Sequence, residues 1–338
     1  MRRLATHQAR IDRRRFIGAL AGGLLTAPLA ARAQQAGTAR RIGVLENLEA
    51  GSNVANLNAF RQRLRELGYV EGQNLVIEHR SADGRPERFP DLAVELVQLK
   101  SDVIVTNGDE AASAARRATR TTPIVMASSL DPVGTGVVAS LARPGGNVTG
   151  FHFWASPKLG GQRLQLLKEL VPSLSRVALL WNWGNIYSHL VVKETETVAS
   201  ASGVQLQRLD VNRPWDLERA FEAAMLGQVD ALIPVDDYLT VTDRVRIVDF
   251  AAMSRLPAIY GLREFVDAGG LIAYGTDRRD LFQRSATYVD RILRGTRPTD
   301  LPVEAPTKFE LIVNLKMPKA LGLTVPRTIL VRADEIIQ

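Results

Sequence analysis

Two kinds of apolar spacing alternate along this chain. Short continuous apolar runs, the pattern of strands buried on both faces, take turns with longer stretches whose apolar positions fall three and four apart, the pattern of amphipathic helices. Arg41 to Leu45 (RIGVL) is the first such strand, with Glu46 and Asn47 at its carboxyl end. The spacing of Phe60, Leu64 and Leu67 predicts a helix that stops at Gly68. Leu75 to Glu78, Asp102 to Val105 and Pro123 to Met126 read as further strands, with helices over Phe89 to Leu99 and in the alanine-rich stretch after Glu110. Asp109 is expected to cap that last helix, behind Asn107 and Gly108.

Pro144-Gly145-Gly146 then releases an apolar run, Asn147 to Trp154, after which the pattern restarts. Strands are expected over Arg176 to Leu180, Val204 to Leu209 and Ala231 to Val235, and helices over Pro157 to Leu170, Ser188 to Ser200, Trp215 to Met225 and Val241 to Met253. The run at 147–154 therefore reads as a crossover between two similar halves. Leu271 to Tyr274, after Gly269-Gly270, is expected to be a return crossover, with the helix Leu281 to Leu293 packing on the first half. Phe309 to Val313 is expected as a third passage, followed by a turn from Met317 closed at Gly322. The fold class is α/β, with two doubly wound Rossmann-like lobes joined by a multi-crossover hinge. Lobe 1 takes residues 34–150 plus 275–300 and lobe 2 takes 151–274 plus 301–338, with the functional cleft between them.

A length of 338 residues with 46% apolar content is enough for two cores. The formal charge of +7 suggests a polyanionic partner until its location is considered. Residues 1–33 hold seven arginines against one acid, Asp12, so only about +1 remains beyond them. That segment joins a basic start, an apolar stretch from Phe16 to Ala31 and a small-residue site, Ala31-Arg32-Ala33, which together make an export signal. Arg13-Arg14-Arg15-Phe16-Ile17 fits the twin-arginine pattern, with an ordinary secretory signal as the alternative. The chain has no cysteine, which excludes disulfides, thiolate metal sites, a cysteine nucleophile and a lipidated N-terminal cysteine. The mature chain is expected to be periplasmic, not inserted in the membrane, and a monomer.

Enzyme motifs do not emerge. The chain lacks G-x-G-x-x-G after its first strand, G-x-x-x-x-G-K-[ST], H-E-x-x-H and G-x-S-x-G. His79, His152 and His189 are far apart in sequence, and neither a cofactor nor a metal is expected. Aromatic residues instead cluster beside predicted strand ends: Phe151, Phe153, Trp154, Trp181, Trp183, Tyr187, Tyr238, Tyr260 and Tyr274. Rings there suit a planar or amphipathic ligand, and about half are expected to be packing. Trp181 and Trp183 point the same way if the strand geometry continues. Asp236 and Asp237 are candidates to face a ligand ammonium, or else to cap the next helix. Asn107, Gly108 and Asp109, with Ser128 and Ser129, could capture a ligand carboxylate through backbone N–H groups and hydroxyls, or else form ordinary loop and cap bonds. Glu46, Asn47, Asp131 and Asn185 complete the candidate binding set.

Four stretches resemble the substrate-binding proteins of ABC importers, in the branch that contains tryptophan- and tyrosine-binding members. They are Asp131 to Gly136 (DPVGTG), Leu141 to Gly150 (LARPGGNVTG), Leu256 to Gly261 (LPAIYG) and Phe309 to Gly322. The resemblance covers essentially the whole mature chain and implies the type I periplasmic-binding fold, with an inner-membrane ABC permease as partner and no nucleic acid. One segment departs from it. Where relatives carry an Asn-Pro-containing loop, this chain has Trp181-Asn182-Trp183-Gly184-Asn185-Ile186-Tyr187. The expected function is a receptor closing over a small aromatic or amino-acid-like carboxylate; an exported enzyme using the same cleft is the alternative.

Overall fold

The computed structural model describes residues 39–47, 53–153, 156, 158–317 and 322–338. The expected export signal, Trp154 and most of the expected turn at 317–322 lie outside these residues.

The first sheet has six parallel strands in the order β11-β5-β4-β3-β1-β2. They are β1 (Arg40–Glu46), β2 (Leu75–Ser81), β3 (Val103–Asn107), β4 (Ile124–Ser129), β5 (Val148–His152) and β11 (Val303–Glu304). The side chains of its central strands part to either face with a period of two. Ile42, Val44, Val103, Val105 and Val125 enter one core with helices Val54–Glu66 and Arg278–Leu293. Leu45, Ile104, Ile124 and Met126 enter the opposite core with helices Phe89–Gln98 and Asp109–Ala118. Burial on both faces explains why these strands are unbroken apolar runs.

The second half carries β6 (Arg176–Asn182), β7 (Gln205–Val211) and β8 (Ala231–Pro234) in the order β7-β6-β8. Beside them lie β9 (Ile259–Tyr260), β10 (Ile272–Thr276), β12 (Phe309–Asn314) and β13 (Glu335–Ile337), in the order β13-β12-β10-β9. A single bridge, Leu232 to Ala258, joins the two sets. All pairs are parallel except β10 with β12. The order β2-β1-β3-β4-β5 thus recurs as β7-β6-β8-β9-β10, so the repetition visible in the spacing is a repetition of topology.

Three apolar runs expected as crossings are themselves strands: β5 belongs to the first sheet, and β10 and β12 to the second. The chain passes between the sheets in the short links beside them. Two links are tied together by Asp277 N–H donating to Lys308 O at 3.1 Å, and Thr276 Oγ1 donates to Phe153 O at 2.8 Å. Residues from 301 onward were expected with the second half, yet β11 hydrogen-bonds to β5 and extends the first sheet.

Candidate functional site

Each sheet reverses its strand order between two neighbours, β1 and β3 in one and β6 and β8 in the other, and crevices open beyond the carboxyl ends at such points. Glu46 and Asn107 stand at the first reversal. Asn182, Asp236 and Asp237 stand at the second.

Glu46 is only 2% exposed and its oxygens are taken. Oε2 accepts from Asn53 Nδ2 at 2.5 Å and Asn107 Nδ2 at 3.2 Å, and Oε1 shares a 2.7 Å hydrogen bond with His79 Nε2. Arg278 extends this cluster toward the second half. Its Nη2 donates to Asn107 Oδ1 at 2.8 Å and its Nη1 to Glu264 Oε1 at 2.5 Å. These groups hold one another and position the strand ends. Asn47 follows half-buried, its carbonyl accepting from Gly84 N–H at 2.8 Å.

Asp109 is not the helix cap. Gly108 takes that position with φ of 99°, and its N–H donates to Ser128 O at 2.7 Å. Freed from capping, the Asp109 carboxylate accepts from Ser129 Oγ, from Leu130 N–H at 3.1 Å and from Asp131 N–H at 2.9 Å, and so shapes the loop after β4. Burial holds its pKa above the usual carboxylate range. The hydroxyl of Ser128 is buried without a hydrogen-bond partner.

From this loop Asp131 reaches the opposite wall. Tyr187 donates its hydroxyl to Asp131 Oδ1 at 3.0 Å, and burial together with that carboxylate pushes the Tyr187 pKa up to about 12. Between the walls lies a cleft of about 450 Å³ of free space, counting what opens to solvent. Leu130, Phe153 and Thr276 line it beside Ser156; Leu159, Gly160, Arg163, Tyr187, Val191, Asp236 and Leu262 line the other side. Of the predicted residues, Phe153, Tyr187 and Asp236 meet here.

The two neighbouring aspartates have separated roles. Asp237 is 3% exposed and caps the helix Tyr238–Thr242, accepting from Leu239 N–H at 2.9 Å in a reciprocal capping box with Thr240. Asn182 Nδ2 at 3.0 Å and Asn185 Nδ2 at 2.6 Å also donate to it. Asn185 in turn caps the helix Ile186–Ser202. Asp237 is therefore engaged as a structural anchor, in the second of its two expected places, the cap of the next helix. Asp236 faces the cleft. Its Oδ2 accepts from Arg163 Nη2 at 2.6 Å, its Oδ1 is buried without a partner, and burial raises its pKa despite the arginine.

Several aromatics lie elsewhere. Trp181 shares the parity of Val177 and Leu179 and packs in the core with them, its indole N–H donating to Asp210 Oδ1 at 2.5 Å. Trp183 does not share its direction: the strand ends at Asn182, whose Oδ1 accepts from Gly184 N–H at 2.9 Å in a tight turn. Trp183 is left 52% exposed and off the cleft. Tyr260 is buried against Phe265, with ring centroids 4.8 Å apart. Tyr274 offers its carbonyl to Arg163 Nε at 2.8 Å, while the residue lines a separate groove with Leu166 and Leu311.

Arg163 was not anticipated. It lies on the buried stripe of the helix Lys158–Leu170, with Leu159, Leu166, Leu167 and Leu170. A charged residue in that stripe was the available signal, because burying a charge costs heavily unless it is paired. Among the described residues no group of three or more metal-ligating side chains occurs, and no helix is long and apolar enough to cross a membrane.

Comparison with known proteins accords with this architecture. A tyrosine-binding protein of Clostridioides difficile (strain R20291) is 26% identical over 284 residues, covering 84% of this chain and 81% of that protein. An ABC domain from Streptococcus pneumonia, solved in complex with L-Trp, superposes with a TM-score of 0.77 at 26% identity, over 89% of this chain and all of that one. A leucine binding protein of Thermotoga maritima, 12% identical with a TM-score of 0.54 over 75% of this chain and 83% of its own, shares the fold, the type I periplasmic-binding arrangement. Residues 41–337 match the family profile described as ABC transporter substrate binding protein. The chain belongs to that family of solute receptors, which bind small ligands and work with membrane permeases.

Proposed function

We propose that this receptor closes over a small aromatic or amino-acid-like carboxylate in the cleft between Phe153 and Leu130 on one side and Arg163, Tyr187 and Asp236 on the other. It acts as a periplasmic monomer, exported through its arginine-rich signal and cut near Ala33, and delivers the ligand to an inner-membrane permease. The moving lobes are built on the two sheets, with β11 counted with the first. The observation that carries this reading is the cleft itself: it lies beyond the carboxyl ends of both sheets and combines apolar walls with one buried ion pair. The tyrosine- and tryptophan-binding relatives support the ligand class, and the family assignment favours a receptor over an exported enzyme.

Native mass spectrometry of protein freshly prepared from periplasm tests the proposal. The expected result is a bound small molecule that is returned unchanged on denaturation, on a chain whose intact mass begins at or near Gln34. Release of a chemically altered product on incubation would favour the enzyme instead.

A further inference from the structure

Two consecutive arginines, Arg278 and Arg279, open the helix that follows the link at 276–277, and they reach the carboxylates of the second half in different ways. Arg278 is buried. Its guanidinium is fixed to the first half by the helix Arg278–Leu293, whose Leu281 and Phe282 pack with Val103 and Val105, and by its 2.8 Å bond to Asn107. Among the described residues its one carboxylate partner is Glu264, at 2.5 Å. Glu264 lies on the short helix Arg263–Asp267, whose Phe265 and Val266 belong to a core of the second half. Arg279 is half-exposed and has three carboxylates in reach, Glu310 at 3.0 Å, Glu335 at 3.8 Å and Asp277 at 3.9 Å. It can exchange among them as the halves shift; Arg278 cannot.

The position of the buried pair gives it leverage. The first link leaves the first sheet at the end of β5, whereas Asn107 ends β3, two strands away, which is about 10 Å at the usual strand spacing. A rotation of about 20° about the links would carry Glu264 roughly 3.5 Å from Arg278, more than a hydrogen bond tolerates. The pair is therefore either made or broken, not stretched.

Its strength and its surroundings suit a bond that breaks. Arg278 Nε is buried without a hydrogen-bond partner, a shortfall that weakens the joined state. The guanidinium also lies 5.8 Å from the ring centroid of Phe153, which lines the cleft, so one ring adjoins both the pair and the contents of the cleft.

We propose that Arg278 and Glu264 form a two-state latch between the halves, made when the cleft is closed and broken when it opens, which sets the share of closed receptor before any ligand arrives. This rests on the reading of two lobes that move about their links and adds to it the bond that decides their balance. A ligand that binds the closed form then has an apparent affinity proportional to that share.

Because the chain has no cysteine, Gln98→Cys and Lys193→Cys place one spin label at an exposed helical position on each half, with no other thiol to compete. Pulsed electron–electron double resonance on the ligand-free exported protein then reads closed and open populations as shorter and longer distances. Glu264→Gln should raise the open-to-closed ratio about ten-fold, the scale of one charge-assisted hydrogen bond. Arg279→Gln should move it less than about two-fold, as expected of a part-exposed charge. Should Glu264→Gln not fold, Glu264→Asp, whose carboxylate falls one methylene short of Arg278, is expected to act in the same direction. Unchanged distances in the Glu264 variants, or an equal shift in Arg279→Gln, overturn the latch. The measurement uses no ligand, so that result leaves the receptor reading standing, which mass spectrometry of the bound molecule decides.

Discussion

Glu310 should make this protein less stable as pH rises through neutrality. It lies on β12, 7% exposed, with Arg279 Nη2 donating to its Oε2 at 3.0 Å. Burial, followed by the nearby negative charge of Asp277, raises its pKa from 4.5 to about 7. A carboxyl group whose folded value lies above its unfolded value binds its proton more tightly in the native state. Its stabilisation is complete below about pH 4.5 and is lost as pH rises through about 7. At 1.36 kcal/mol for each decade of proton concentration, that interval corresponds to about 3 kcal/mol. Glu310→Gln keeps the shape and removes the titration. Arg279 then loses one partner but stays within 3.8 Å of Glu335 and 3.9 Å of Asp277, a part-exposed arrangement whose loss of one partner costs roughly 1 kcal/mol or less. Urea midpoints followed by tryptophan fluorescence at pH 5 and pH 8 should fall for the unaltered protein and fall distinctly less for the variant. Asp109 and Asp236 are shifted in the same direction and persist in both proteins, so only the difference between the two profiles isolates Glu310. Parallel profiles would refute the reasoning.

Three further outcomes are expected. Asp237→Ala should cost about 2 to 4 kcal/mol in chemical denaturation, since it removes a helix cap and leaves the amides of Asn182 and Asn185 without their acceptor; a loss of ligand affinity at unchanged stability would return Asp237 to the binding site. Tyr187→Phe removes the hydrogen bond that spans the cleft and should enlarge the radius of gyration of ligand-free protein in small-angle scattering, at a stability cost of about 1 kcal/mol; an unchanged radius would show that the bond does not hold the walls together. Trp181→Ala should destabilise by about 3 to 5 kcal/mol, whereas Trp183→Ala should stay within roughly 0.5 kcal/mol and leave ligand affinity as it was, which thermal melts and calorimetry would compare directly.

The strands were the most legible part of the chain, because β1, β3 and β4 are buried on both faces and so read as continuous apolar runs. What escaped was set by contacts far apart in sequence. Nothing around Val303 and Glu304 suggests a strand until β5 offers an edge to pair with. In the site, two adjacent aspartates of equal promise were separated by a cap: Asp237 stands three residues before Thr240 and closes a box with it, which frees Asp236 for the cleft. The two tryptophans diverged because Asn182 turns the chain between them. Arg163 was overlooked because a leucine-rich helix reads as packing, although an arginine on its buried stripe marked a place where packing alone was an insufficient account.

The pairing of β11 with β5, and the packing of Leu281, Phe282 and Val289 against Ile42 and Val44, bear on how the chain is made. As the polypeptide leaves the ribosome from its amino end, the five strands of the first sheet from β1 to β5 emerge well before the helix and edge strand that cover them. In the interval one face of that sheet has only the helix Val54–Glu66 over it, and the missing contacts must close across more than a hundred residues, a slow step. The nascent chain therefore remains unfinished until nearly all of it has been synthesised. On the export route proposed above, a factor reading the amino-terminal arginines would have that whole interval in which to engage them before a folded product exists.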